Sequence, residues 1–128
     1  MAEVNPKINA VVQDLTALAR DHTAEPGAFS GVPFLLKDLG VALAGTTTSS
    51  GSRLLKDSKA AADSALVSLY KAAGLNTFGK TNTPEFGQWP VTESDLLGPA
   101  RNPWDTSRTP GGSSGAVPPL TGASACVP

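Results

Sequence analysis

The sequence predicts an α/β fold with a parallel sheet, and three stretches carry that expectation. Val32 to Leu36 is a short apolar run with strand character, Asp63 to Ala73 has helical periodicity, and Leu75 to Phe78 is a second apolar run. Strand, helix, strand in that order argues a right-handed βαβ unit with its strands side by side and parallel. The chain has 128 residues, 40% hydrophobic and 16% charged, which is enough for one small domain with a real core.

Taken in order, Asn5 to Arg20 places Ile8, Val11, Val12, Leu15 and Leu18 on a roughly helical stripe. Pro6 suits a first turn, and Asn5 before it is a capping residue type. Glu25-Pro26-Gly27 then breaks the chain, and His22, the only histidine, falls in this polar exit as a solvated surface residue. Val32 to Leu36 delivers Lys37 and Asp38 to a strand end, where α/β folds place their chemistry. A further short strand is expected at Val41 to Leu43. Gly45 to Ser52 is a hydroxyl-rich loop, either a solvated turn or the lining of a polar cleft near the lysine. In the Asp63 to Ala73 helix, Asp63 is the expected N-cap, Leu66, Leu69, Tyr70 and Ala73 form one face, and Gly74 is a natural stop. From Gly79 onward Pro84, Pro90, Pro99, Pro103 and Pro110 punctuate a loop-rich segment.

A net charge of −1 gives no reason to expect nucleic-acid or anionic-membrane partners. The single cysteine, Cys126, rules out an internal disulfide framework and fits a reducing, cytoplasmic setting. There is no signal-peptide pattern and no apolar run of spanning length. The 13 glycines and 11 prolines crowd the second half, which reads as loops around a site. The sequence stops at Val127-Pro128 without a polar closing segment, so a fragment is expected.

Gly74-Leu75-Asn76-Thr77-Phe78-Gly79-Lys80-Thr81 matches the phosphate-binding pattern Gly-x-x-x-x-Gly-Lys-Ser/Thr. That chemistry needs a strand before the first glycine and a helix opening at the lysine, so that free N–H groups face the phosphates. Here the order is reversed, and Pro84 opposes a helix running on from Lys80. A nucleotide site is therefore not expected.

Two features point instead to nucleophilic catalysis. Lys37 ends an apolar run, where burial disfavours the ammonium and leaves an amine able to accept a proton. The structural alternative is a lysine that snorkels or pairs with Asp38 or Glu85. Thr109-Pro110-Gly111-Gly112-Ser113-Ser114-Gly115 sets two adjacent hydroxyls among three glycines, a loop whose backbone can approach a substrate closely. On composition alone that run reads as a flexible linker. The lysine changes the reading, because a serine hydroxyl is a weak nucleophile that needs a base, and no histidine is suitably placed.

Gly31 to Asp38, Gly79 to Gly87, Gly98-Pro99-Ala100-Arg101-Asn102-Pro103-Trp104 and Thr109 to Gly115, in this order, closely resemble the N-terminal part of the amidase signature family. Val4 to Ala10 is similar to that family's entry helix, so the resemblance covers essentially the whole chain. It implies an amidase-signature fold, a mixed, largely parallel sheet flanked by helices, of which residues 1–128 are an incomplete N-terminal portion. It also implies hydrolysis of a small carboxylic amide by a Ser–cis-Ser–Lys triad, without cofactor or metal, and leaves a homodimer open. By the same resemblance Lys37 is the base and Ser113 the bridging serine on a cis peptide, with Gly112 and Ser114 in the substrate loop.

The third member is where the sequence departs from the family. Thr121-Gly122-Ala123-Ser124-Ala125-Cys126 resembles the nucleophile loop but lies too near, with Ser124 eleven positions beyond Ser113. Ala123 replaces a glycine and Cys126 stands where arginine is usual. Either intervening residues are absent and Ser124 is the nucleophile, with Gly122 and Ala123 beside the oxyanion, or Ser124 follows a lost nucleophile. The first assignment is adopted. Thr83-Pro84-Glu85-Phe86-Gly87 is closer to general amidases than to the amidotransferase component of a tRNA-dependent, glutamine-using complex (its A subunit), which is the alternative enzyme. A catalytically inactive fragment or binding module is the non-enzyme alternative.

Overall fold

The structure is a computed structural model that describes residues 3–21 and 26–115. Its main sheet has three strands in the order β1-β3-β2, where β1 is Val11–Asp14, β2 Pro33–Lys37 and β3 Asn76–Thr81. β2 and β3 run parallel and β1 pairs antiparallel with β3, so the sheet is mixed. The helices are α1 (Asn5–Ile8), α2 (Thr16–Asp21) and α3 (Ala65–Ala72), and α3 lies between β2 and β3 in the chain. This is the expected strand–helix–strand unit within an α/β fold.

The first segment differs from expectation, because the single helix over Asn5 to Arg20 is two helices with a strand between them. Asn9 adopts a left-handed conformation, φ 48°, and ends α1. Asn5, rather than capping the start of a long helix, reaches past its end. Its Oδ1 accepts from the Ala10 and Val11 N–H groups at 3.0 and 2.7 Å, and its Nδ2 donates to Val11 O at 2.8 Å. The chain therefore leaves α1 extended: β-branched Val11 pairs with Thr81 of β3, and Val12 lies in β1 at the register shift before Gln13 pairs with Lys80. A helical stripe and a short helix–strand–helix can share the same apolar positions, and the waiting edge of β3 decides between them. Asp14 Oδ1 then accepts from the Thr16 N–H at 2.8 Å and from its hydroxyl, starting α2.

α3 begins one residue later than expected, with Ser64 as its N-cap. Asp63 turns aside to accept from the Ala44 N–H at 2.7 Å and to pair with Lys71. Its end is a Schellman closure: Gly74, at φ 88°, donates to Lys71 O, and Leu75 N–H reaches back to Tyr70 O. The buried face also differs from expectation. Val67 and Tyr70 face the core, while Leu66 and Leu69 are exposed. The core joins Leu15, Leu36, Leu43 and Val67, with Phe34, Val41 and Tyr70 packed against it. The Phe34 and Tyr70 rings meet with centroids 4.9 Å apart at 56°, a tilted pair that fastens α3 to β2. Val41 to Leu43 is not a strand; Leu43 is buried in this core from an irregular segment.

β3 runs further than the apolar pattern suggested, through Gly79 and Lys80 to Thr81. Gly79 is needed there, since a Cβ would meet Gln13 O and the Val11 and Leu35 side chains at 3.1 Å. A short ribbon, β4 (Glu93–Ser94) against β5 (Gly98–Pro99), follows. Among the described residues, no helix is long and apolar enough to cross a membrane.

Candidate active site

Lys37 is the last residue of β2 and pairs in register with Thr81, the last of β3. Its Nζ donates to Ser113 Oγ at 2.9 Å and to Ser114 Oγ at 3.0 Å. The lysine and the glycine-rich run thus meet across 76 positions of sequence. Burial lowers the Lys37 pKa below the ordinary lysine value, favouring the neutral amine. Among the described residues, Lys37 bonds to the two serines rather than to Asp38 or Glu85.

The loop that presents those serines is docked on Trp89 to Thr92. A Cβ on Gly112 would lie 2.9 Å from Pro90 C and Val91 N and 3.0 Å from Trp89 O. Gly111 has φ 90°, a conformation glycine adopts readily, and the Gly112–Ser113 peptide is cis. Ser113 is half-buried and Ser114 exposed, while Gly115 is buried. Gly122, Ala123, Ser124 and Cys126 lie outside the described residues, as does His22.

Behind Lys37 lies a second polar layer. Asp38 is buried; its carboxylate accepts from the Ser49 N–H and hydroxyl. Lys80 is fully buried, donates to Thr47 O and Thr48 Oγ1, and lies 3.9 Å from Asp38 Oδ1. Burial lowers the Lys80 pKa, with Asp38 opposing the shift. Burial raises the Asp38 pKa, opposed by Ser49 and Lys80. The hydroxyl-rich Gly45 to Ser52 loop is therefore not a solvated turn, and Thr47 and Ser49 line a cleft together with Asp38 and Gln13. The loop is largely a buried belt that satisfies these two ionisable groups. The Lys80 contacts also account for the phosphate-binding pattern: its lysine is held inside the fold, on a strand that follows a helix.

Sequence reasoning missed Lys80 as a structural centre and Thr92 as a contact of the serine loop. In the sequence Lys80 was marked only as the lysine of the rejected phosphate-binding pattern. Thr92, a lone threonine in a proline-rich stretch, carried no signal. Among the described residues, no group of three or more His, Cys, Asp or Glu side chains could hold a metal ion.

The family model described as Amidase matches residues 1–127. The chain is 45% identical over 115 residues to a 6-aminohexanoate-cyclic-dimer hydrolase of Paenarthrobacter ureafaciens, a match covering 88% of this chain and 23% of that protein. It is 43% identical over 124 residues to the A subunit of the glutamyl-tRNA(Gln) amidotransferase of Ectopseudomonas mendocina, covering 90% of this chain and 26% of that protein. A solved structure of 6-aminohexanoate cyclic dimer hydrolase complexed with substrate superposes with a TM-score of 0.84 at 44% identity, covering 90% of this chain and 24% of that one. The chain thus spans about a quarter of the length of the relatives it matches. On this family match, these identities and this shared α/β core, the chain belongs to the amidase signature family.

Proposed function

We propose that the protein is an amidase that hydrolyses a small carboxylic amide through a serine acyl-enzyme, with Lys37 as base and Ser113 as the bridging serine. The observation that carries the reading is the 2.9 Å contact between Lys37 Nζ and Ser113 Oγ, at a lysine whose burial favours the neutral amine. Neutral Lys37 accepts the Ser113 proton as Ser113 takes the proton of the nucleophilic serine, Ser124 in this assignment. The nucleophile's oxygen bonds to the carbonyl carbon, and backbone N–H groups around Gly122 and Ala123 stabilise the oxyanion. The C–N bond breaks as the proton returns from Lys37 through Ser113 to the leaving nitrogen, releasing the amine. Water, deprotonated by the same relay, attacks the acyl ester, and the acid leaves as the serine regains its proton.

The test is hydrolysis of a chromogenic aryl amide by the full polypeptide that carries this chain. Lys37→Ala and Ser113→Ala are each expected to lower kcat at least about a hundredfold, the lower range for a lost general acid–base group. Wild-type activity in either variant would overturn the assignment.

A second reading, the amidotransferase component of a glutamine-using complex, is favoured by the 43% identity to one such protein. Its test is dependence on glutamine and on partner chains. Hydrolysis of simple amides by the isolated polypeptide supports the amidase instead, and inactivity in both assays leaves a binding module.

A further inference from the structure

We propose that Thr92 is a positioning residue that clamps both ends of the serine loop and so holds Ser113 against Lys37; the inference rests on the amidase reading above. Thr92 is fully buried. Its Oγ1 donates to Gly111 O at 2.9 Å and accepts from the Gly115 N–H at 3.2 Å. The residues between those two fastened points are Gly112, Ser113 and Ser114, and both of these serine hydroxyls are bonded to Lys37.

The clamp has a firm base. Thr92 O accepts from the N–H of Ala100 at 2.8 Å, and Ala100 is itself buried at the end of the β4–β5 ribbon. The loop is shaped to reach it: a Cβ on Gly115 would stand 2.3 Å from Gly111 O and 2.8 Å from Thr92 Oγ1, so a side chain there would clash with the clamp's other partner and with the clamp itself. Donating and accepting from one atom is what a hydroxyl can do and what an isosteric methyl cannot. The Thr92 hydroxyl bonds to loop backbone on both sides rather than to Lys37 or either serine hydroxyl, so it acts through the backbone it fixes.

Thr92→Val keeps the shape and removes both bonds; Thr92→Ser keeps the hydroxyl and removes the methyl. In the full polypeptide, Thr92→Val is expected to lower kcat about ten- to a hundredfold, the scale of a small misplacement at a reacting group, with KM within about threefold. Thr92→Ser is expected to retain at least about a third of the wild-type kcat, since the hydroxyl that makes both bonds remains. Hydrogen exchange at the Gly115 amide gives a readout independent of turnover, expected to speed up at least about tenfold in Thr92→Val and to hold in Thr92→Ser. Should Thr92→Val not fold, Thr92→Ala removes the same hydroxyl without adding a methyl.

Wild-type kcat in Thr92→Val would overturn the proposal. Equal damage in Thr92→Val and Thr92→Ser would overturn it too, by assigning the effect to methyl packing. If the wild-type protein hydrolyses no amide, the amidase reading fails separately. The clamp then stands or falls on whether Gly115 exchange accelerates in Thr92→Val.

Discussion

Lys80 Nζ and Asp38 Oδ1 lie 3.9 Å apart, with the lysine side chain wholly out of solvent and the aspartate side chain 6% exposed. Each is hydrogen-bonded to the Gly45–Ser52 belt rather than to the other, Lys80 through Thr47 and Thr48 and Asp38 through Ser49. Asp38 directly follows Lys37, so this pair anchors the chain just beyond the proposed base.

Removing one member leaves the other charge buried without its opposite charge, held only by neutral hydrogen-bond partners of the belt. Lys80→Met is expected to cost about 3–5 kcal/mol of stability, read from the urea midpoint. Lys80→Met combined with Asp38→Asn is expected to recover part of that loss, because both charges are then gone. A single Lys80→Met variant as stable as the wild type would contradict the view that the pair organises this layer.

Activity is expected to rise with pH as Lys37 loses its proton. Burial lowers the Lys37 pKa, so the rising limb of kcat/KM against pH should have its midpoint below the ordinary lysine value of about 10.4. Lys37→Arg keeps a cation that cannot deprotonate in this range, and should be inactive at every pH tested. An active arginine variant would mean that the position supplies charge, not a base.

Ser113 and Ser114 contact Lys37 at nearly equal distances, 2.9 and 3.0 Å, so distance does not rank them. Burial does: Ser113 is half-buried and Ser114 exposed. Ser113→Ala is expected to lower kcat at least about a hundredfold and Ser114→Ala by less than about tenfold, measured on the same amide. The opposite order would move the relay to Ser114.

Gly51 and Gly45 separate backbone strain from crowding in the hydroxyl-rich belt. Both have positive φ, +67° and +76°, but a Cβ on Gly51 would lie 2.8 Å from Thr83 O, while one on Gly45 meets nothing within 4 Å. Gly45→Ala should cost about 1–3 kcal/mol, the strain of a disfavoured backbone region alone. Gly51→Ala should cost about 1–3 kcal/mol more, for overpacking against backbone that cannot yield. Thermal unfolding of the two variants compares them directly, and equal losses would remove crowding from the account.

Local chemistry made several elements legible. Val32 to Leu36 needed only its apolar run to be placed as a strand, and the observed strand, Pro33–Lys37, is shifted by one residue. Gly74 signalled the end of α3 because positive φ is accessible to it at little cost, and it closes the Schellman turn. The helix misread over Asn5 to Arg20 shows where that logic fails. Val11 and Val12 fit a helical stripe, and only the edge of β3 and the reach of Asn5 draw them into a strand. Likewise Leu66 and Leu69 have the periodicity of a buried face, but the sheet meets α3 along Val67 and Tyr70.

By itself, the sequence determined the order of strand, helix and strand, the burial-prone lysine at a strand end, and a glycine-rich run able to carry closely placed serines. These follow from periodicity, charge and backbone freedom, all of which act within a few neighbouring residues. Only the tertiary structure decided that Lys37 meets Ser113, that Lys80 lies inward beside Asp38, and that Thr92 bridges Gly111 and Gly115. The first of those contacts joins residues 76 positions apart, and the strength of all of them depends on desolvation. A side chain's burial is set by what the rest of the chain packs around it.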